Sequence, residues 1–203
     1  MSEIEKKVYA QKLTPKMLKK SKLLTNRHQI LEHLPKNGVG IEIGVLGGDW
    51  SCHLLQITVP SELILADTFN SNDYAHKNRF VKKNHEFYIK TKFETHGDKV
   101  KVMKGLSWDT LATFPDHYFD WMYIDAAHDY ECVKKDLKEA IRVLKPDGYI
   151  IMNDYIMYDH FTKEEYGVVQ ATNEFMVEHN FEMLFFALHP EMFCDVVIKK
   201  IQE

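Results

Sequence analysis

The stretch GVGIEIGVLGGDWSC, residues 38–52, constrains the fold more than any other part of this chain. It predicts a short buried strand, Val39–Ile43, that runs through a glycine-rich turn into a helix. Gly44, Gly47 and Gly48 follow the strand, and residues without a Cβ permit positive φ and a close approach of a ligand to the backbone. The helix presents its free N–H groups to the same turn. The stretch therefore predicts a strand-to-helix binding turn in an α/β fold.

A carboxylate at this turn restricts the ligand that it can bind. A phosphate-binding turn follows GxGxxG or GxxxxGK[ST] and holds no acid, because its ligand is an anion. Glu42 instead suits a ligand with an ammonium or another cation. The pattern E-x-G-x-x-x-G, from Glu42 through Gly44 to Gly48, resembles motif I of the class I S-adenosylmethionine-dependent methyltransferases. The resemblance implies that these three residues bind S-adenosylmethionine, and a glycine-rich turn that serves packing alone is the alternative.

Length, composition and charge bound the class of protein. With 203 residues, 45% of them apolar and 28% charged, the chain suits one globular domain with a sizeable core. A net charge of -4 disfavours a polyanionic partner such as nucleic acid. The three cysteines are far apart and odd in number, which argues against a disulfide framework and a CxxC metal site. Without an apolar run of membrane-spanning length or a signal peptide, a cytoplasmic protein with no membrane partner is expected.

Two helices are predicted before the glycine turn. Thr14-Pro15 predicts the start of a helix that runs to about Leu24, and a second helix follows before Pro35. They form a basic N-terminal helical extension, residues 1–37, for which a solvated face is favoured over contact with RNA or a membrane. The domain itself is expected at residues 38–203.

Two further strand ends carry residues suited to the same ligand. The second predicted strand ends in Asp67, and ligands of doubly wound sheets bind at the carboxyl ends of the strands. Asp67 is expected to accept hydrogen bonds from ribose hydroxyls, with a strand-end cap as the alternative. The third strand leads to Ser107 and Trp108, which the resemblance places against the adenine, although Trp108 can equally fill the core. Between these strands, residues 68–77 predict a loop that can act as a lid, and residues 78–95 a helix.

The block from residue 116 to 155 is the most informative. Phe119–Ile124 predicts a strand that ends in Asp125, and Tyr149–Met152 predicts a strand that ends in Asn153-Asp154. The elements I-D-x-x-H-x-Y, D-L and L-K-P-x-G resemble a bacterial methyltransferase group that acts on small molecules. This group includes O-methyltransferases of macrolide and aminocoumarin sugars. The resemblance covers about residues 38–156.

The fold class follows from the alternation of strands and helices and from this resemblance. We expect an α/β, Rossmann-like doubly wound sheet with N-terminal helical additions. The resemblance implies seven strands in the order 3-2-1-4-5-7-6, with the last strand antiparallel. A helix is expected at residues 166–179. Two strands about Pro190-Glu191 are expected to form the final hairpin.

The acceptor side is expected at the ends of the fourth and fifth strands. Methyl transfer from a sulfonium to oxygen is an in-line displacement that needs alignment and a deprotonated acceptor. Asp125, Asn153 and Asp154 offer oxygen donors for Mg²⁺ or another divalent cation, with loop capping as the alternative. Asn153 brings no charge where the related group commonly has an acid. His128, beside Asp125, is the expected general base, a structural histidine is the alternative, and His160 is a weaker second candidate.

The sequence therefore predicts an S-adenosylmethionine-dependent methyltransferase, with metal-assisted O-methylation of a small hydroxylated acceptor such as a sugar or secondary metabolite. His128 and Asp125 are its expected catalytic residues, and Asp125 is also expected to contact the cofactor. The alternatives are an NAD-dependent oxidoreductase, which GVLGG disfavours, a related group of hydroxylases, and a non-catalytic protein that keeps the cofactor fold. A homodimer is left open.

Overall fold

A computed structural model describes residues 10–70 and 85–202, so most of the predicted lid and the start of the helix predicted at 78–95 lie outside the described residues. The helices of the described part are α1 (Pro15–Leu18), α2 (His28–His33), α3 (Asp49–Thr58), α4 (His85–Phe93), α5 (Ser107–Ala112), α6 (Tyr130–Val143) and α7 (Val168–His179), with a 3-10 helix at Glu94–Lys99. The strands are β1 (Lys22–Leu24), β2 (Val39–Ile43), β3 (Glu62–Asp67), β4 (Val100–Lys104), β5 (Phe119–Ile124), β6 (Leu144–Met152), β7 (Tyr158–Asp159), β8 (Glu164–Glu165), β9 (Phe181–Ala187) and β10 (Asp195–Lys200).

The central sheet is mostly parallel and has eight strands in the order β1-β9-β10-β6-β5-β2-β3-β4. The prediction of seven strands is therefore wrong, and the order differs from the predicted one because β1 is added at the edge beside β9. β10, the last strand of the chain, pairs antiparallel with both β6 and β9. β7 and β8 form a separate two-stranded sheet.

The additional strand replaces half of a predicted helix. The helix expected to reach Leu24 ends at Leu18, and Lys22–Leu24 pairs in parallel with Phe185–Ala187 of β9. The Ser21 hydroxyl fixes the junction, since it donates to the carbonyl of Met183 at 2.6 Å. A sheet edge offers unpaired backbone groups, and their pairing with a distant segment outweighs local helix propensity here.

Helices cover both faces of the sheet, so the core has two layers. Ile43 and Ile124 point to the layer built with α6 and α7. Tyr123 points to the opposite layer, built with α2 and α3. Because side chains alternate along a strand, the buried Glu42 also lies on the side of α2 and α3. The parallel strands place their carboxyl ends at one edge, where ligands of doubly wound sheets bind. No helix in the described part of the chain is long and apolar enough to span a bilayer.

Candidate active site

The glycine turn is clamped between the two neighbouring strands. The Gly44 N–H donates to the carbonyl of Ala66 at 2.9 Å, and the Asp125 N–H donates to the carbonyl of Ile43 at 2.7 Å. Gly44 has a φ of 91°, and a Cβ at this position would lie 1.7 Å from the carbonyl oxygen of Asp125. Gly48, with a φ of 71°, leads into α3. The turn therefore needs glycine at Gly44, both for its backbone conformation and for the close approach of β5.

Asp67 holds the turn from the end of β3. Its Oδ2 accepts hydrogen bonds from the N–H groups of Val45 (2.8 Å) and Leu46 (3.1 Å). Its Oδ1 accepts one from the N–H of Phe69 at 2.7 Å. The side chain thus has the strand-end role that was the alternative to ribose binding. The two roles are compatible at Oδ1, which accepts one short hydrogen bond, whereas Oδ2 already accepts two.

Glu42 lies beneath the turn and is only 1% exposed. The Ser51 hydroxyl donates a hydrogen bond to its carboxylate. Burial raises the pKa of Glu42 well above its usual range; the hydrogen bond from Ser51 opposes this shift, and the charges of Asp125 and Asp67 add to it. A cation bound at the turn would lower this pKa, so the buried acid favours a positively charged ligand.

A cavity of about 230 Å³ opens next to the glycine turn. It brings together four of the predicted cofactor-binding residues, Gly44, Asp67, Ser107 and Trp108. Ser107 is the first residue of α5. Trp108 is half-buried, and the Lys135 ammonium lies 4.6 Å from its ring centre. Trp108 is therefore a wall of the cavity rather than a residue of the core.

The structure also brings together three of the residues predicted on the acceptor side. The Nε2 atom of His128 lies 3.6 Å from Oδ1 of Asp125 and 3.5 Å from Oδ2 of Asp154. The imidazole stacks on the ring of Tyr166, with a centroid distance of 4.4 Å and an interplanar angle of 4°. His128 is thus held by two carboxylates from the ends of β5 and β6 and by one aromatic ring.

These contacts set the ionisation of the cluster. Burial alone would lower the pKa of His128, but Asp125 and Asp154 raise it, and the net shift is upward. Burial, followed by the charge of Asp125, raises the pKa of Asp154 to about 6. The pair of carboxylates therefore favours the protonated imidazole, which is the form that a general base reaches when it has taken a proton.

Asn153 is buried and belongs to a hydrogen-bond network with Tyr123 and Asp195. Its Nδ2 donates to Oδ1 of Asp195 at 3.0 Å and to the hydroxyl of Tyr123 at 3.3 Å. The Tyr123 hydroxyl in turn donates to Oδ2 of Asp195 at 2.7 Å. Asn153 thus supports the site by linking the end of β6 to Tyr123 of β5 and Asp195 of β10.

The donor set does not fit the expected divalent cation well. Asp125 and Asp154 converge on His128, while the amide of Asn153 is held by its network. Among the residues that the structure describes, no three or more His, Cys, Asp or Glu side chains are arranged to hold a metal ion. Two carboxylates leave most of the coordination sphere of Mg²⁺ to other ligands.

Three residues of the site were missed by reasoning from the sequence, and all lie outside the motifs at residues 38–156. Arg27 packs on Trp50 of α3, Tyr166 stacks on His128, and Asp195 accepts from Tyr123. Each of these residues contacts the site through a partner that is distant in the sequence. Such contacts cannot be predicted from the spacing of residues.

The comparisons with known proteins agree with this geometry. A family model for a methyltransferase domain matches residues 41–155, which is more than half of the chain. The chain therefore belongs to this family of methyltransferase domains. It is an S-adenosylmethionine-dependent methyltransferase with S-adenosylmethionine as its cofactor. None of the curated proteins matches its sequence.

Solved structures share the fold at low sequence identity. A SAM-dependent methyltransferase from Aquifex aeolicus superposes with a TM-score of 0.60 at 16% identity, covering 86% of this chain and 89% of that one. The 1,6-didemethyltoxoflavin-N1-methyltransferase of Burkholderia thailandensis, solved with 1,6-didemethyltoxoflavin and S-adenosylhomocysteine, gives 0.61 at 12% identity, covering 86% and 76%. The M1A22 tRNA methyltransferase TrmK of B. subtilis gives 0.60 at 14% identity, covering 88% and 67%.

Proposed function

We propose that this methyltransferase transfers the methyl group of S-adenosylmethionine to a hydroxyl oxygen of a small molecule, with His128 as the general base. The observation that carries the proposal is the position of Nε2 of His128 between the carboxylates of Asp125 and Asp154. Asp125 links this base to the cofactor turn, because its backbone N–H bonds to Ile43 and its carbonyl oxygen faces Gly44. The base thus lies one short loop from the turn.

The chemistry asks little more of the protein than alignment and removal of one proton. The acceptor oxygen attacks the methyl carbon in line with the departing sulfur, and S-adenosylhomocysteine leaves. The hydroxyl proton passes to Nε2 of His128, which is buried and has no hydrogen-bond partner within the described part of the chain. Asp125 and Asp154 then stabilise the imidazolium, and Tyr166 keeps the ring in its plane.

The charge around the site supports a small acceptor over a nucleic acid. Glu42, Asp67, Asp125 and Asp154 lie at or near the carboxyl edge, and the chain as a whole carries a net charge of -4. Binding of a phosphate backbone relies on clustered Lys and Arg. The fold shared with a tRNA methyltransferase is therefore no reason to infer an RNA substrate.

A divalent cation is the second version of this mechanism. It is favoured by the two carboxylates that face a common point. It is disfavoured because, among the residues that the structure describes, no three His, Cys, Asp or Glu side chains are arranged to hold a metal ion. If Asp125 and Asp154 hold an ion, EDTA will abolish turnover and Mg²⁺ will restore it. Under the version that we favour, turnover is the same in EDTA and in Mg²⁺.

The test of the function is a screen of small hydroxylated compounds for release of S-adenosylhomocysteine, followed by His128→Ala with the best acceptor. Loss of a general base costs about 10²- to 10⁴-fold in kcat, while cofactor affinity stays nearly unchanged. His160→Ala is the matched control, because its ring packs on Phe161 and Phe193 instead. Full turnover of His128→Ala, or a methyl group found on nitrogen in the product, would contradict the proposal.

A further inference from the structure

Arg27 brings a permanent positive charge from the N-terminal extension to the cofactor turn. Its guanidinium carbon lies 4.1 Å from the ring centre of Trp50, in the first turn of α3 directly after the glycine turn. Its Nη1 donates a long hydrogen bond, 3.4 Å, to the hydroxyl of Tyr123. The side chain is partly buried against Trp50. Ordering it there costs side-chain entropy, which a favourable interaction must offset.

The contacts of Arg27 in the structure use only a small part of the hydrogen-bonding capacity of its guanidinium. A guanidinium has five N–H donors in a planar fork that matches a carboxylate. Within the described residues, the bond to Tyr123 is the one hydrogen bond that the guanidinium of Arg27 makes. The Arg27 charge lowers the pKa values of Glu42, Asp154 and Asp195, against the larger effect of burial in each case. It thus lies within electrostatic reach of both halves of the site.

The charges of the cofactor explain why a cation belongs at this place. S-adenosylmethionine carries an ammonium and a sulfonium, which suit the acids around the turn, and one carboxylate, which these acids repel. Lys92 is a second cation at the turn, but its ammonium already donates to the carbonyl of Gly47 (2.7 Å) and to Oδ1 of Asp49 (2.6 Å). Of these two cations, Arg27 is the one whose donors are mostly unused within the residues that the structure describes.

We propose that Arg27 binds the carboxylate of the methionine part of S-adenosylmethionine and of its product. The N-terminal extension then completes the cofactor site from outside the motif-bearing part of the chain. The proposal rests on the cofactor that the family uses and is independent of the acceptor and of the role of His128. A charge-assisted hydrogen bond in a partly buried site contributes enough to change affinity by about 10- to 100-fold.

Two ligands that differ only in the carboxylate test this role. They are S-adenosylhomocysteine and its decarboxylated analogue, 5′-deoxy-5′-(3-aminopropylthio)adenosine, titrated by calorimetry into the wild type, Arg27→Met and Lys92→Met. The wild type and Lys92→Met are expected to prefer S-adenosylhomocysteine. Arg27→Met is expected to lose about 10- to 100-fold in affinity for S-adenosylhomocysteine and to keep its affinity for the analogue. Arg27→Lys is expected to recover part of the loss as a point charge without the fork.

Two outcomes would overturn the proposal. If Arg27→Met binds S-adenosylhomocysteine as tightly as the wild type, the carboxylate has another partner. If Arg27→Met weakens both ligands equally, Arg27 supports the fold around Tyr123 and Asp195 and does not read the carboxylate. Retained binding of the analogue also shows that Arg27→Met is folded. Failure of the wild type to bind S-adenosylhomocysteine would instead count against the cofactor assignment itself.

Discussion

The two halves of the carboxyl edge are built by different means. In the cofactor half, at the ends of β2 and β3, the carboxylate of Asp67 accepts hydrogen bonds from backbone N–H groups of two adjacent loops. In the acceptor half, at the ends of β5 and β6, His128 is held by side chains, the two carboxylates of Asp125 and Asp154 and the ring of Tyr166. Backbone donors do not depend on the identity of the side chain, whereas a half that is held by side chains can change its chemistry by single substitutions.

The same contrast extends to the surface around each half. The cofactor half is a walled cavity with Trp108 and Ser107 on one side. Beyond the acceptor half, Met157, Tyr158 and Phe161 are exposed, on the segment between β6 and α7. Apolar surface of this kind next to a polar catalytic cluster suits an acceptor with an apolar part. We therefore expect substitutions in the cofactor half to have large effects on stability and cofactor affinity. Substitutions in the acceptor half are expected to have smaller effects, on turnover and its pH dependence.

The largest effect is expected for Gly44→Ala. The added Cβ would meet the Asp125 carbonyl oxygen at 1.7 Å, and the residue would keep a φ of 91°, so the backbone must move. We expect a loss of about 3 kcal/mol or more in the free energy of unfolding and no measurable binding of S-adenosylhomocysteine. Urea denaturation and calorimetry measure the two.

Gly97→Ala is the control for this prediction. Gly97 also has a positive φ, 53°, but nothing lies within 4 Å of an added Cβ. Its cost is therefore conformational alone, about 1 to 3 kcal/mol for a residue in a sparsely populated φ/ψ region, and the cofactor affinity stays unchanged. Equal destabilisation by the two substitutions would show that the close approach of β5 contributes nothing.

The second effect concerns a buried acid near the cofactor cavity. Asp136 of α6 is fully buried, and burial raises its pKa to about 7, although the side chain of Ser107, which lines the cavity, opposes this shift. The unfolded chain ionises this group from about pH 4, while the folded chain keeps the proton to about pH 7. The folded state is thus penalised progressively across this interval, and the penalty is complete above pH 7.

Asp136→Asn removes this penalty, since an amide does not ionise. We expect the variant and the wild type to unfold alike near pH 4, and the variant to be more stable at pH 8 by up to about 4 kcal/mol. Thermal unfolding at both pH values measures the difference. A stability difference that does not grow with pH would mean that Asp136 ionises normally.

The third effect is on cofactor affinity. Asp67→Ala removes the acceptor of the Val45, Leu46 and Phe69 N–H groups together with the expected ribose contact. The affinity for S-adenosylhomocysteine is expected to fall by about 10- to 100-fold in calorimetry. Asp67→Asn, which keeps one acceptor oxygen, is expected to fall between this variant and the wild type. An unchanged affinity of Asp67→Ala would remove Asp67 from the site.

What could be predicted from the sequence follows the same division. The bounds of β2 and β5 are those predicted, because hydrophobic runs with turn residues at their ends are local signals. Gly44 and Asp67 were recognised in the same way and line one cavity. Local sequence signals were thus sufficient to locate the cofactor half.

The rest depends on contacts that only the folded chain makes. β1 exists because β9, far along the sequence, offers it an edge. Asn153 was expected to face a metal. Its amide nitrogen donates a hydrogen bond to Asp195, which begins β10. The metal ligands were expected from their places at the ends of two adjacent strands. The residues that support the site, such as Asp195, lie far away in the sequence and were not expected.

The smallest and most specific effect concerns pH dependence in the acceptor half. A general base works in its neutral form, so turnover is expected to fall as the pH drops through the pKa of His128, which Asp125 and Asp154 raise. Asp154→Asn removes one of these charges. The acid limb of the kcat profile is then expected to move to lower pH, with a loss of maximal rate smaller than that of His128→Ala. NMR titration of the His128 ring in the absence of an acceptor measures the same displacement directly. Movement of the limb to higher pH, or no movement, would show that the Asp154 carboxylate does not act on His128, and the acceptor half would then lack the side-chain support that distinguishes it from the cofactor half.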